Sequence, residues 1–144
     1  MSKLGARALH DYPVPVNFKI AFLWASLMFL YVYNDYFSMY LPGTIDRMDA
    51  GQLGPLGDAT ELVLVSVSIL LAVPALMIFL SAILPPTFNR WLNVFLGLAY
   101  TVIEVLTLFG SALFYQVVVV LEIAVTSLII WYALRWPKQA ASDD

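Results

Sequence analysis

Four apolar stretches separated by short polar segments constrain this 144-residue chain more than any other feature. They cover residues 18–40, 61–84, 91–109 and 113–134, and each is close to the ~20 residues that a helix needs to cross ~30 Å of hydrocarbon. A lipid interior offers no water to backbone N–H and C=O groups, and barrel strands would be ~10 residues of strict alternation. The predicted fold is therefore all-α, a four-transmembrane-helix bundle with up-down-up-down order.

The composition indicates that lipid is the main solvent of the chain. Apolar residues make up 62% and charged residues 12%, whereas soluble domains are about half apolar and a quarter charged. Only seven Lys and Arg are present, and they lie at the ends of the apolar runs instead of forming a basic face. We therefore expect the lipid bilayer as a partner and no nucleic acid, with a homodimer or a larger membrane complex left open.

Helix-breaking and helix-capping residues mark the limits of the predicted helices. Asn17 is the predicted N-cap of the first helix, and Pro85-Pro86 is predicted to end the second. Pro74 lies inside the second helix, where it removes one backbone hydrogen bond. Membrane helices tolerate such a proline when neighbouring helices satisfy the freed carbonyl, so we expect a kink and a neighbouring donor there.

The distribution of Lys and Arg predicts the orientation of the bundle, because short cytoplasmic segments are enriched in these residues. One basic residue, Arg47, lies in the first loop, and six lie in segments on the other side: Lys3, Arg7, Lys19, Arg90, Arg135 and Lys138. Both termini are thus predicted to be cytoplasmic. Besides the four spans, the single membrane domain has a cytoplasmic N-terminal segment (1–17), an external loop (41–60), a cytoplasmic loop (85–90), an external turn (110–112) and a cytoplasmic tail (135–144).

Acidic residues inside the apolar stretches are the main candidates for function. A charge at the bilayer centre costs roughly 2.5 to 3.5 kcal/mol, so these acids are expected to face the bundle interior, to pair or to stay protonated: Asp35, Glu61, Glu104 and Glu122. Positions 104 and 122 lie symmetrically about the turn, and Tyr100 and Thr101 share the helical face of Glu104. Two carboxyl groups close together in low dielectric cannot both ionise cheaply. They favour a proton relay or a cation site; the alternative is that each is protonated and only fixes helix register.

A second group of polar and aromatic residues lies near the predicted outer surface. Asp35 is late in the first helix and Glu61 begins the second, at a similar level. They are predicted to line an outward-opening pocket together with five further residues: Asn34, Tyr36, Tyr40, Tyr115 and Gln116. The alternatives are a wetted Asp35 in an aromatic belt and a Glu61 that only favours the dipole of its helix.

Residue types that usually hold cofactors are scarce. The sequence has no Cys, and its only histidine, His10, precedes the first apolar stretch. Thiolate, iron–sulfur and haem ligation inside the bundle are therefore unsupported, and the serines of the helices have no histidine base to activate them. We expect no cofactor, no metal site and no catalytic residue, which favours a non-enzymatic protein.

Short motifs spread over the apolar stretches carry a family resemblance. They are Trp24 with Met28-Phe29 and Tyr31 leading to Asp35, Pro74 with Met77, Leu80 and Ser81, Asn89-Arg90-Trp91-Leu92-Asn93, and Glu122-Ile123-Ala124 with Ile129-Ile130-Trp131-Tyr132-Ala133. With these motifs the chain resembles a family of small bacterial four-helix membrane proteins of unknown function, distantly similar to the DoxX-like group. The resemblance implies the four-helix fold and the bacterial inner (plasma) membrane, and it implies no established activity.

Three functional hypotheses follow. The first is a protein that binds or moves a small or lipophilic cation, or a proton, through the interior around Asp35, Glu104 and Glu122. The second is a structural or regulatory subunit of a larger membrane complex, in which small residues such as Ala21, Ala25 or Gly97 permit close helix approach. The third is a DoxX-like quinone-linked redox subunit, which needs a bound redox group.

Overall fold

The computed structural model describes residues 12–109 and 111–137, and over these residues the fold is all-α, as predicted. Four helices of 22 or 23 residues, joined by shorter elements, appear in the order α1 (Val16–Ser38), α2 (Thr44–Asp49), a 3-10 turn (Gly54–Leu56), α3 (Glu61–Ile83), α4 (Pro86–Thr107) and α5 (Leu113–Leu134). The predictions that involve Lys3, Arg7, His10, Gly110 and Lys138 lie outside the described residues, as do most of the two terminal segments.

Three of the long helices, α1, α3 and α5, are long and apolar enough to cross a membrane. Helix α4 has nearly the same length but carries more polar residues. The fourth crossing, the up-down order of the spans and the orientation of the termini therefore stay predictions.

The polarity of α4 is reversed relative to a helix that packs its apolar stripe inward in water. Its buried residues are mostly polar or small: Asn89, Asn93, Gly97, Tyr100 and Glu104. Its exposed large residues are apolar: Phe88, Trp91, Phe95, Leu98, Val102, Val105 and Leu106. Helix α4 thus turns its polar residues toward the other helices and an apolar surface outward.

Helix α1 lies in the middle of the packing and contacts both α3 and α5, while α4 packs mainly on α5. Helices α3 and α4 touch each other little, although only a short connection joins them. The core is centred on Trp24, which is fully buried and meets the ring of Tyr100 edge-on, with 5.8 Å between the ring centres. The loose contact between α3 and α4 leaves space within the bundle.

Two helix starts differ from the prediction. Helix α4 begins at Pro86, well before the predicted start at Trp91, because the first turn of a helix needs no N–H donor and accepts proline. Pro15 takes the N-cap position of α1, so Asn17 does not cap the helix. The Asn17 side chain instead donates a hydrogen bond to the carbonyl of Ala82 at 3.0 Å, which ties the start of α1 to the end of α3.

Close packing of α4 on α5 depends on Gly97. A Cβ atom at this position would lie 2.7 Å from Cγ1 of Ile130, a distance that real Cβ contacts do not show. The small residue expected to permit close helix approach therefore does so within the chain, between α4 and α5.

The carbonyl that Pro74 leaves without a helical donor receives one from a neighbouring helix. A proline has no N–H, so the carbonyl of Leu70, four residues earlier, lacks its usual partner. The hydroxyl of Tyr100 in α4 donates to that carbonyl. Pro74 itself is buried in the bundle. One phenol thus compensates for the interruption in α3 and joins α3 to α4.

Removing this hydroxyl by Tyr100→Phe should lower the free energy of unfolding by about 1 kcal/mol, because the Leu70 carbonyl then has no donor. In a Pro74→Ala background, residue 74 supplies its own N–H to Leu70, so the same substitution should cost much less. Reversible unfolding of the four proteins in detergent gives this double-mutant cycle directly. An equal cost of Tyr100→Phe in both backgrounds would contradict the assignment.

Candidate functional site

A cavity of about 220 Å³ lies among the four long helices, near the loop that joins α1 to α3. Every long helix contributes to it, so it exists only in the assembled bundle. The lining residues are Tyr31, Asn34 and Asp35 of α1, Leu56 of the 3-10 turn, Val67, Leu70 and Leu71 of α3, Tyr100, Ile103, Glu104 and Thr107 of α4, and Tyr115 and Glu122 of α5.

Three of the four acids predicted to face the bundle interior line this cavity, namely Asp35, Glu104 and Glu122. Glu104 and Glu122 are buried, with 2% and 3% of their surface exposed. Asp35 is exposed, so it lies at the edge of the cavity. In residues 12–109 and 111–137, no three His, Cys, Asp or Glu side chains converge as ligands for one metal ion.

Both carboxyl oxygens of Glu104 have hydrogen-bond partners. The hydroxyl of Tyr31 in α1 donates to Oε1 at 2.7 Å, and that of Thr126 in α5 donates to Oε2 at 2.9 Å. The Thr101 hydroxyl in turn lies 2.8 Å from that of Thr126 and donates to it. These bonds hold Glu104 in one orientation and join α1, α4 and α5.

The same bonds allow Glu104 to gain or lose a proton without movement of the backbone. The Thr126 hydroxyl lies 2.9 Å from Oε2 of Glu104 and 3.2 Å from the backbone carbonyl of Glu122. Beside an ionised Glu104, Thr126 donates to the carboxylate. When Glu104 is protonated, its carboxyl O–H donates to the Thr126 hydroxyl oxygen. The Thr126 hydroxyl then donates to the backbone carbonyl of Glu122.

Glu122 is held much less firmly than Glu104. Its one side-chain donor among the described residues is the Asn34 amide nitrogen, 3.4 Å from Oε1. Asn34 is only 4% exposed, yet its own Oδ1 is buried with no hydrogen-bond partner in the described part of the chain. A buried acceptor without a donor costs about 1 to 3 kcal/mol. Glu122 and Asn34 therefore place two acceptors beside a cavity that a hydrogen-bond donor would satisfy.

No lining residue of the cavity carries a positive charge. The described basic residues lie instead near helix ends or in the first loop: Lys19, Arg47, Arg90 and Arg135. An ionised carboxylate buried without a cation is costly. A proton or a bound cation has to balance the charge of the site.

Five of the residues predicted to line a site do not line the cavity. The exposed Tyr36 and Tyr40 pair their hydroxyls at 2.9 Å, and the exposed Glu61 begins α3. Gln116 donates to the carbonyl of Ser111 at 3.1 Å, in the turn between α4 and α5. Thr101 reaches the site only through Thr126. The predicted level along each helix placed these residues near the site, but helix rotation turns them away from it.

Sequence reasoning missed a second buried polar cluster, at the opposite end of the bundle. Asn93 is its centre: Oδ1 accepts from Nε1 of Trp24 at 2.6 Å and from the Ser81 hydroxyl at 3.2 Å. Its Nδ2 donates to Oδ1 of Asn89 at 2.6 Å, and the Asn89 amide donates to the Ser81 carbonyl at 2.6 Å. All four side chains are fully buried. The cluster fastens α1, α3 and α4 together.

The spacing along α4 contains a signal for this cluster. Asn89, Asn93, Gly97, Tyr100 and Glu104 are separated by four, four, three and four residues, which places them on one face of a helix. A polar stripe that continues from the acid to the asparagines indicates that the whole face is buried. Tyr31, the partner of Glu104, has no comparable signal in the sequence.

The model of DUF6326, a family of unknown function, matches residues 14–142 of the chain. No curated protein and no solved structure matches the chain. The prediction of a family of unknown function is thus confirmed, while likeness to the DoxX group, with its quinone-linked hypothesis, and bacterial origin stay predictions. The matched segment contains all four long helices and the complete lining of the cavity.

Proposed function

We propose that this chain, which belongs to DUF6326, a family of unknown function, is a multi-pass membrane protein. It binds a small organic cation beside Glu122 and releases a proton in exchange. The observation that carries the proposal is the pair of buried acceptors, Glu122 and Oδ1 of Asn34, with no basic residue in the cavity wall. A bound N–H donor with a positive charge would supply both the missing hydrogen bond and the missing charge.

The reversed polarity of α4 supports four membrane crossings. Its exposed apolar residues can face lipid, while Asn89, Asn93 and Glu104 lie within the bundle. The distribution of Lys and Arg supports cytoplasmic termini. With that orientation the cavity lies in the outer half of the membrane, below the 41–60 loop. The resemblance of the sequence supports a bacterial inner membrane as the location.

The walls of the cavity favour an organic cation with a small apolar body. Val67, Leu71 and Ile103 provide apolar surface, and the rings of Tyr31 and Tyr115 can face a positive charge. The volume of about 220 Å³ is smaller than the ~300–1,000 Å³ of drug-sized sites. A primary ammonium group on a short alkyl or cycloalkyl body matches this size and lining.

Electroneutrality supports exchange with a proton. Two buried carboxyl groups beside a cavity whose lining residues include no basic side chain favour at least one bound proton until a cation enters. An entering ammonium group replaces that charge, so the proton can leave. The two hydrogen-bonded arrangements of Thr126 give Glu104 a place in the same exchange.

The experiment is calorimetric titration of the purified protein in a nonionic detergent. Cyclohexylammonium should bind, whereas cyclohexanol, similar in shape but uncharged, should bind at least tenfold more weakly. In buffers of different ionisation enthalpy, the observed heat should show release of a proton on binding. Glu61→Gln is the matched control, since Glu61 is an exposed acid outside the cavity. Equal binding of the amine and the alcohol would refute a cation site.

The structural-subunit hypothesis gains support at one residue only. Glu104 already has partners at both oxygens, as expected of an acid that fixes helix register. On that hypothesis Glu104→Gln lowers thermal stability, and neither Glu104→Gln nor Glu122→Gln changes the affinity for the amine. Stability and binding measured on the same two variants therefore separate the hypotheses.

A further inference from the structure

Three basic side chains each contact a residue at the C-terminal end of α5, far from the acidic cavity. Lys19 of α1 lies over the ring of Tyr132, with Nζ 5.5 Å from the ring centre. Arg135, which follows α5, lies over Trp131 at 4.9 Å. The rings of Trp131 and Tyr132 are themselves in edge contact at 4.8 Å. We call Lys19, Arg90 and Arg135, with these rings, the basic rim.

Arg90 of α4 completes the basic rim and has an unused donor. Its Nη2 donates to the carbonyl of Leu134 at 3.3 Å, which brings the guanidinium beside Arg135, and its Cζ lies 5.2 Å from the centre of the Trp91 ring. Its Nε is buried without a hydrogen-bond partner among the described residues. A buried guanidinium N–H calls for an acceptor, and anionic oxygens are its strongest partners.

The described acids lie elsewhere in the bundle and in the first loop: Asp35, Asp46, Asp49, Asp58, Glu61, Glu104 and Glu122. Glu104, on the same helix as Arg90, is ~21 Å away along α4 at ~1.5 Å per residue. The positive charge of the basic rim is therefore unbalanced within the described part of the chain. An anion from outside this part of the chain would balance it.

Apolar surface continues directly from the basic rim along α4 and α5. Phe88, Trp91 and Phe95 are 58% to 69% exposed on α4, and Leu128, Trp131 and Leu134 are 44% to 47% exposed on α5. Helices α4 and α5 pack together, and the apolar surface of each begins at a ring that a rim cation covers: Trp91 under Arg90 and Trp131 under Arg135. A ligand with an anionic head and hydrocarbon chains matches both parts, whereas a free phosphate ion uses only the first.

We infer that the basic rim binds the phosphate headgroup of an anionic phospholipid, with the acyl chains lying on the exposed α4–α5 surface. This inference rests on the proposed membrane location and not on the cation cavity. The partly exposed Arg90 guanidinium donates to a phosphate oxygen, and Lys19 and Arg135 add positive charge at the same end of the bundle. Basic sites between membrane helices are a known means of holding anionic lipids.

The test is the thermal midpoint of the purified protein in nonionic detergent with three additions at low salt. Short-chain phosphatidylglycerol should raise the midpoint by about 3 °C or more. Phosphatidylcholine with the same chains, and inorganic phosphate alone, should raise it by less than a third of that amount. Raising the salt concentration to 0.5 M should reduce the phosphatidylglycerol effect, because exposed charges are then screened.

Variants locate the site. Arg90→Gln and Arg135→Gln should each remove most of the midpoint shift caused by phosphatidylglycerol, and Arg135 is exposed, so its loss leaves the fold intact. Arg47→Gln is the matched control in the 41–60 loop and should keep the full shift. Equal shifts with both phospholipids, an equal shift with phosphate alone, or a full shift in both rim variants would each overturn the inference. None of these results would bear on the proposal that the cavity binds an amine, which is tested separately by calorimetric titration.

Discussion

Glu122→Gln should weaken cyclohexylammonium binding by about 10- to 150-fold, the loss expected when a charged hydrogen-bond acceptor worth about 1.5 to 3 kcal/mol is removed. Gln has nearly the same shape, and Glu122 has only one long hydrogen bond to Asn34. The fold should therefore keep its stability while the site loses its charge. Calorimetric titration measures the affinity, and the thermal midpoint measures the fold.

Two further variants make this result specific to the site. Asn34→Leu removes the unpartnered Oδ1 and should weaken binding by about tenfold, the value of one hydrogen bond to a charged group. Glu61→Gln removes an acid outside the cavity and should leave the affinity unchanged. If Glu122→Gln binds the amine as well as the native protein does, Glu122 does not hold the cation and the proposed site is wrong.

Asn93→Leu should give the largest loss of stability, about 2 to 4 kcal/mol in the free energy of unfolding. Leu cannot accept from Nε1 of Trp24 or from the Ser81 hydroxyl, and it cannot donate to Asn89. Each buried polar group left without a partner costs about 1 to 3 kcal/mol, and less where it finds a partner in the unfolded membrane state. Reversible unfolding in mixed detergent measures the difference.

The matched control for Asn93→Leu is Ser68→Leu on α3. Ser68 is exposed, and its hydroxyl bonds only to the Leu64 carbonyl of its own helix, at 2.8 Å. We expect a change within about 0.5 kcal/mol there. The folded fraction of Asn93→Leu should still bind the amine, because Asn93 lies ~16 Å from Glu104 along α4. Similar stability losses in the two variants would show that the asparagine cluster is not a structural centre.

The helices could be predicted from the sequence because hydrocarbon leaves the backbone almost no other choice. The first and last residues of the helices were harder to predict from the sequence. Proline both ends and begins helices, so Pro85-Pro86 indicated a loop where Pro86 begins α4. Asn17 has the chemistry of an N-cap, but Pro15 takes that position and Asn17 makes a contact with Ala82 that depends on tertiary structure.

For the candidate site, the sequence identified the acids but not their partners. Glu104 and Glu122 were placed in the interior because a lipid-facing charge is costly. The pairing of Tyr31 with Glu104 depends on the rotation and height of two helices far apart in sequence, which no local pattern encodes. Tyr36, Glu61 and Gln116 lie at the predicted level along their helices, but that level does not fix which way a side chain faces, and none of the three lines the cavity. Thr126 shares a helical stripe with Glu122, yet it bonds to Glu104.

If α4 crosses the membrane as proposed, its reversed polarity has a consequence for biogenesis. Insertion into a membrane selects segments by their own hydrophobicity, and a helix that carries Asn89, Asn93 and Glu104 is a poor substrate by itself. Helix α5 is strongly apolar and follows after a short turn, with Gly97 positioned against Ile130. The two helices would then enter the bilayer as one hairpin, so that synthesis of α5 decides whether α4 is integrated at all.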